Sequence, residues 1–140
     1  MPQQSIGFLI WDVSRLVRTQ FHNDERMSSM TLARAKALMR IALSEGIRQV
    51  ELAEQLEIKP MSLVRVVDAL VEEELIERRP DPKDRRAYQL HLLPKAEPEI
   101  EKIKIVGTEI WDAALQNIPK EDVEQMIKTL GAIHTNLMNK

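Results

Sequence analysis

The 140-residue chain contains no cysteine, which excludes disulfides, thiol-based redox switching and every zinc site that needs a thiolate. Glycine is scarce, at four residues. No glycine-rich phosphate loop, nucleophile elbow or paired-carboxylate arrangement occurs, so no catalytic residues, no enzyme activity and no cofactor are expected. No apolar run reaches the roughly 18 residues needed to cross a bilayer. The N-terminus also lacks a basic segment followed by an apolar stretch and a small-residue cleavage site. A cytoplasmic protein with no membrane partner is the expectation. His22, His91 and His134 lie far apart and in no ligating spacing, so no metal site is expected either.

What is present is an ordinary soluble composition, 44% hydrophobic and 30% charged, rich in helix formers. One compact unit with helical extensions is expected at this length. The net charge of −2 conceals its distribution. Residues 1–47 carry +2, residues 48–95 carry −1 and residues 96–140 carry −3, yet residues 78–86 alone carry +3. That local excess comes from Arg78, Arg79, Lys83, Arg85 and Arg86 set against Asp81 and Asp84.

Apolar spacing organises the rest. Ile6, Leu9, Ile10, Val13, Leu16, Val17 and Phe21 predict an amphipathic helix over residues 5–22. After the polar stretch "NDERMSSM", Thr31 is placed to cap a second helix that runs to about Ala42, before Gly46. Two short helices follow, one with Leu52, Ala53 and Leu56, the other with Leu63, Val66, Val67 and Leu70. Pro60 opens the second, where its missing N–H is not needed. Tyr88, Leu90 and Leu92 alternate as in a half-buried strand over residues 87–92, with residues 75–79 as its antiparallel partner and "PDPKDRR" as the loop between. Two further helices carry stripes from Ile100 to Leu115 and from Val123 to Met138, broken at Pro119. Both terminal regions hold more apolar face than so small a domain can cover, so pairing with a second copy is expected.

Two short helices around Leu52, Ala53, Leu56, Ile58 and Leu63 have the spacing of a helix-turn-helix. A hairpin with a stiff basic loop immediately after it turns that unit into a winged helix. The second helix suits a major groove, and the loop suits the neighbouring backbone or minor groove. The expected class is mainly α with a small β-hairpin wing, a winged helix-turn-helix with N- and C-terminal dimerisation helices. Residues 31–94 would form the DNA-binding domain, and residues 1–30 and 95–140 the helical dimerisation region.

The stretch "ELAEQLEIKPMSLVRVVDALVEEELIERRPDPKDRRAYQLHL" resembles the winged-helix core of the MarR family of bacterial transcription regulators. "PMSLVRVVDAL" and "PKAEPEI" most resemble its SlyA branch. The resemblance implies a homodimer with interlocked terminal helices, binding double-stranded DNA at a pseudo-palindromic operator, with repression as the default. By position it places Pro60, Met61, Ser62 and Arg65 on the recognition helix, Arg65 being suited to bidentate reading of guanine. It matches Asp84, Arg85 and Arg86 to an Asp-x-Arg wing motif, in which either arginine could be the one that enters the minor groove. Arg48, Gln49, Lys59 and Lys83 are the candidate phosphate contacts. Members of the family often bind a small aromatic acid or phenol, for which Trp11, Arg15, Arg18 and His22 are the candidate lining, against the plainer reading of an interface stripe with a basic edge.

The chain departs from the pattern at Glu57 and Glu74, where glycine is frequent, and at Pro94 and Glu97. A remodelled turn is expected at Glu57, because a non-glycine residue at positive φ costs roughly 1 kcal/mol. The rival reading is a winged-helix module that binds protein and no DNA, since a fold alone does not confer a function.

Overall fold

A computed structural model describes residues 5–139. Helix α1 (Ile6–Asn23) starts where the Ser5 hydroxyl accepts the Phe8 N–H at 3.1 Å, and it ends at Asp24. A single 3₁₀ turn, Glu25–Met27, fills the polar break. There Arg26 holds the Asp24 carboxyl down at about 2 and reaches across to Glu109 at 2.5 Å, tying the corner to the C-terminal half of the chain. Helix α2 (Leu32–Leu43) is capped by Thr31 as expected, its hydroxyl accepting the Arg34 N–H at 3.2 Å.

Helices α3 (Gln49–Leu56) and α4 (Pro60–Glu72) form the crossed pair. The turn between them is not remodelled. Glu57 adopts the left-handed conformation itself, at φ 55°, and closes α3 with two backbone bonds, Glu57 N–H to Glu54 and Ile58 N–H to Ala53, both 3.1 Å. Glu74 repeats the device after α4 at φ 63°, with Glu74 N–H to Val71 at 3.0 Å and Leu75 N–H to Leu70 at 2.9 Å. Burial of Leu70 and Leu75 holds the second turn in place, so the strain is tolerated where glycine would avoid it.

The hairpin is longer and tighter than its sequence suggests. Strands β1 (Ile76–Asp81) and β2 (Asp84–Leu92) pair antiparallel, with only Pro82 and Lys83 between them. The register shifts once. Pro80 faces Tyr88 while Asp81 faces Asp84, which leaves Arg85, Arg86 and Ala87 without partners on β1. Pro80 has no N–H to donate, so the ladder breaks there and β2 bulges. A third segment completes the sheet. The Gly46 N–H donates to Leu90, the Leu90 N–H donates to Ile47, each at 2.9 Å, and Arg48 bridges Gln89. Gly46 makes this approach at φ 92°.

Helices α5 (Ala96–Ala114) and α6 (Lys120–Met138) follow. Leu38, Ile41, Leu52, Leu63, Val67, Leu70, Ile76, Leu90 and Val106 are sealed from solvent in one core around α2. Ala96, Ile100 and Ile103 of α5 join the same core, as do Met27 and Met30, so hydrophobic packing runs continuously beyond residues 31–94. By contrast α1 and α6 contain no buried residue. No helix among the described residues is long and apolar enough to cross a membrane.

Candidate nucleic-acid interface

Helix α4 separates its two faces cleanly. Leu63, Val67 and Leu70 point into the core, while Pro60, Met61, Ser62 and Arg65 are exposed. Met61 and Arg65, four residues apart, share the outward face, and Met61 is 75% exposed despite its apolar side chain. Lys59 precedes the helix and is also exposed.

The wing presents fewer free cations than the sequence suggests. Arg79 pairs with Glu77 at 2.6 Å, and Arg78 bonds both Asp68 on α4 and Gln49 on α3, the latter at 3.0 Å. Arg78 holds the sheet to both helices, whereas the Arg79 pair lies within β1. Among the described residues Lys83, Arg85 and Arg86, like Lys59 and Arg65, form no ion pair. Lys83 lies at the tip, whereas Arg85 and Arg86 lie in the bulged start of β2. The Asp84 carboxylate accepts the Arg86 N–H at 2.9 Å, which sets the local turn of that bulge.

Two expected phosphate contacts prove to be engaged within the protein. Arg48 donates through Nε to Asp81 at 2.7 Å, and Gln49 accepts from Arg78. Asp81 was not anticipated as a site residue. Its carboxylate also accepts the Lys83 N–H at 2.8 Å, and its local signal, an Asp two residues before the donor in a proline-flanked turn, is an ordinary one. That N–H and then Arg48 hold the carboxyl below its usual value, against the burial that raises it.

A groove of about 300 Å³ joins these elements, lined by Arg48, Gln49, Pro60, Asp84, Arg86 and Tyr88 among others. The structure thus brings the start of α3, the start of α4 and the wing to one surface. The acidic end of α4 lies apart, where Glu73 pairs with Arg34 at 2.8 Å. No group of His, Cys, Asp and Glu that could hold a metal occurs among the described residues.

Trp11, Arg15, Arg18 and His22 line neither groove that adjoins α1 within the single chain. Two grooves adjoin α1, of about 580 Å³ beside Phe21, Met39 and Leu56 and about 570 Å³ beside Val13, Leu16 and Trp111, and none of the four residues reaches either. At 3.6 residues per turn they fall on the opposite side of α1 from Val13, Leu16, Val17 and Gln20. Arg15 instead pairs with Asp12 at 2.8 Å, and Arg18 donates to Ser14 at 2.6 Å.

The sequence model of the MarR family matches residues 30–88. The fold is similar to that of a MarR transcriptional regulator from Methanosarcina mazei Go1, at 22% identity, 96% coverage of both chains and a TM-score of 0.82. It is similar to a second MarR structure at 24% identity, with 96% of this chain and 92% of that one covered and a TM-score of 0.86. Wild-type MarR from E. coli in its apo form aligns at 26% identity, with 92% and 96% covered and a TM-score of 0.79. The MarR model thus matches residues 30–88, and around them the chain is similar in fold to MarR regulators over nearly its whole length.

Proposed function

We propose that the chain is a sequence-specific regulator of transcription that binds double-stranded DNA as a homodimer on a pseudo-palindromic operator. One observation carries this reading: the start of α4, which exposes Met61, Ser62 and Arg65, shares a groove with Arg86 of the wing, a cation with no ion pair among the described residues. Helix α4 enters the major groove, Arg65 reads a base edge, and the wing meets the flanking backbone or minor groove. Lys59 contacts phosphate. Residues 31–94 act as the reading unit and residues 1–30 with 95–140 as the pairing unit. The bare faces of α1 and α6 support pairing by a two-fold axis, which places two α4 helices about 34–36 Å apart, one turn of duplex.

Within the family, "PMSLVRVVDAL" and "PKAEPEI" favour the SlyA branch. Occupying an operator blocks polymerase sterically, so repression in the cytoplasm is the direct consequence. A small aromatic acid or phenol that relieves it would sit in the groove beside Phe21, where Lys36 and Arg40 add cationic charge to apolar walls.

The test is selection of duplexes from a random pool, followed by salt titration of the best one. Displaced counterions make affinity fall linearly on a log–log plot, and Arg85→Ala with Arg86→Ala lowers the slope by about two units. A double variant with wild-type affinity and slope removes the wing from the contact. Affinity that ignores salt, or no selected duplex at all, points to the protein-binding alternative.

A further inference from the structure

Asp81 is the one buried charged residue among those described, at 6% exposure, and it sits at the end of β1 beside the two-residue turn of the wing. A carboxylate in such a place is destabilising unless it is neutralised and hydrogen-bonded. Both conditions are met from different directions. One oxygen accepts the Lys83 N–H at the tip, and the other accepts Arg48 Nε at 2.7 Å. Arg48 immediately precedes α3 and is bridged to Gln89 of β2, so its own backbone is fixed by the sheet. Asp81 therefore fastens the far end of the hairpin to the first helix of the crossed pair.

The hairpin needs such a fastening. Arg85, Arg86 and Ala87 have no partners on β1, and Pro80 and Pro82 withhold two donors, so the ladder by itself does not define the end of the wing. We propose that the Arg48–Asp81 pair is a clamp and that Asp81 is a positioning residue, setting where Arg85 and Arg86 are presented relative to α4. The proposal rests on reading this surface as the DNA contact. The Arg48 side chain remains 39% exposed on the groove that Arg86 also lines, and among the described residues its two terminal nitrogens make no hydrogen bond. One side chain thus braces the wing through Nε and keeps two donors for a phosphate beside it.

The experiment has two arms. The first uses Asp81→Asn, which keeps an acceptor for the Lys83 N–H but discards the charge that Arg48 needs, and reads amide hydrogen exchange without DNA. Exchange at Lys83, Asp84 and Arg86 is expected to rise about tenfold while Leu63 and Val67 stay unchanged. Unchanged tip amides overturn the clamp. Arg48→Gln probes the same contact from a half-exposed side chain and must give the same local pattern, should Asp81→Asn fail to fold. The second arm measures duplex affinity in a double-mutant cycle. Asp81→Asn is expected to weaken binding about five- to tenfold in the parent chain and hardly at all once Arg85 and Arg86 are alanine. Equal losses in both backgrounds overturn the positioning role, because a general structural defect would not depend on those arginines. The exchange arm needs no DNA, so failure of the clamp is seen separately from failure of the DNA reading. Wild-type protein with protected tip amides and no duplex binding would sink that reading and the positioning role with it.

Discussion

The crossed-helix region and the two terminal helices carry apolar stripes of comparable regularity, yet they end in opposite states. Around α2, side chains such as Leu38, Leu52, Leu63 and Leu90 are sealed from solvent by their own chain. In α1 and α6, Ile6, Trp11, Ile127 and Leu137 are each at least 60% exposed. Periodicity announces a face that needs covering and is silent about what covers it. The first region finds its cover in α3, α4, the sheet and α5. The second does not, and a second copy supplies it in the proposed dimer.

The contrast breaks most sharply at Leu38. Leu38→Ala opens a cavity at a fully closed position and is expected to cost about 2–5 kcal/mol in urea denaturation, equally at every protein concentration. Trp111→Ala acts where the end of α5 meets α1 and α6. Trp111 is 42% exposed beside Val13, Leu16 and Met126, and its loss is expected to weaken dimerisation by about 2 kcal/mol in sedimentation equilibrium. That destabilisation must grow on dilution, and a concentration-independent loss would count against a dimer interface there.

A smaller effect separates reading from folding within the closed region. Arg65→Ala is expected to relax preference by about 1–3 kcal/mol at one or two operator positions, measured across operator variants, with stability unaltered. Unchanged specificity ratios would take Arg65 out of base recognition. The smallest prediction is a gain. Glu57→Gly relieves a left-handed non-glycine residue and is expected to add about 0.5–1 kcal/mol to thermal or urea stability, less than the full strain because glycine also loosens the unfolded chain.

Much of the architecture was legible locally. The Thr31 cap, Pro60 at the start of α4, the break before α6 and the buried alternation at Leu90 follow from residues within a turn of one another. The outward placement of Met61, Ser62 and Arg65 follows from the phase of Leu63, Val67 and Leu70. What was not legible has a common cause. Arg48 and Gln49 look like free polar residues because their partners, Asp81 and Arg78, lie 33 and 29 positions away. "PDPKDRR" looks like a loop because its prolines break a ladder, yet the strands continue on either side of Pro82 and Lys83 and the excess residues bulge from β2. Trp11, Arg15, Arg18 and His22 do share one side of α1, and helix phase turns that side away from the two grooves of the single chain.

The sequence by itself determined the helices, their caps, the two-strand wing and the sign of the charge on it, because each depends on neighbours along the chain. Only the tertiary structure decided which cations remain free. Folding sets Asp81 against Arg48 and Asp68 against Arg78 across 33 and 10 positions of chain, which makes both arginines braces, while Arg48 keeps two donors on the groove.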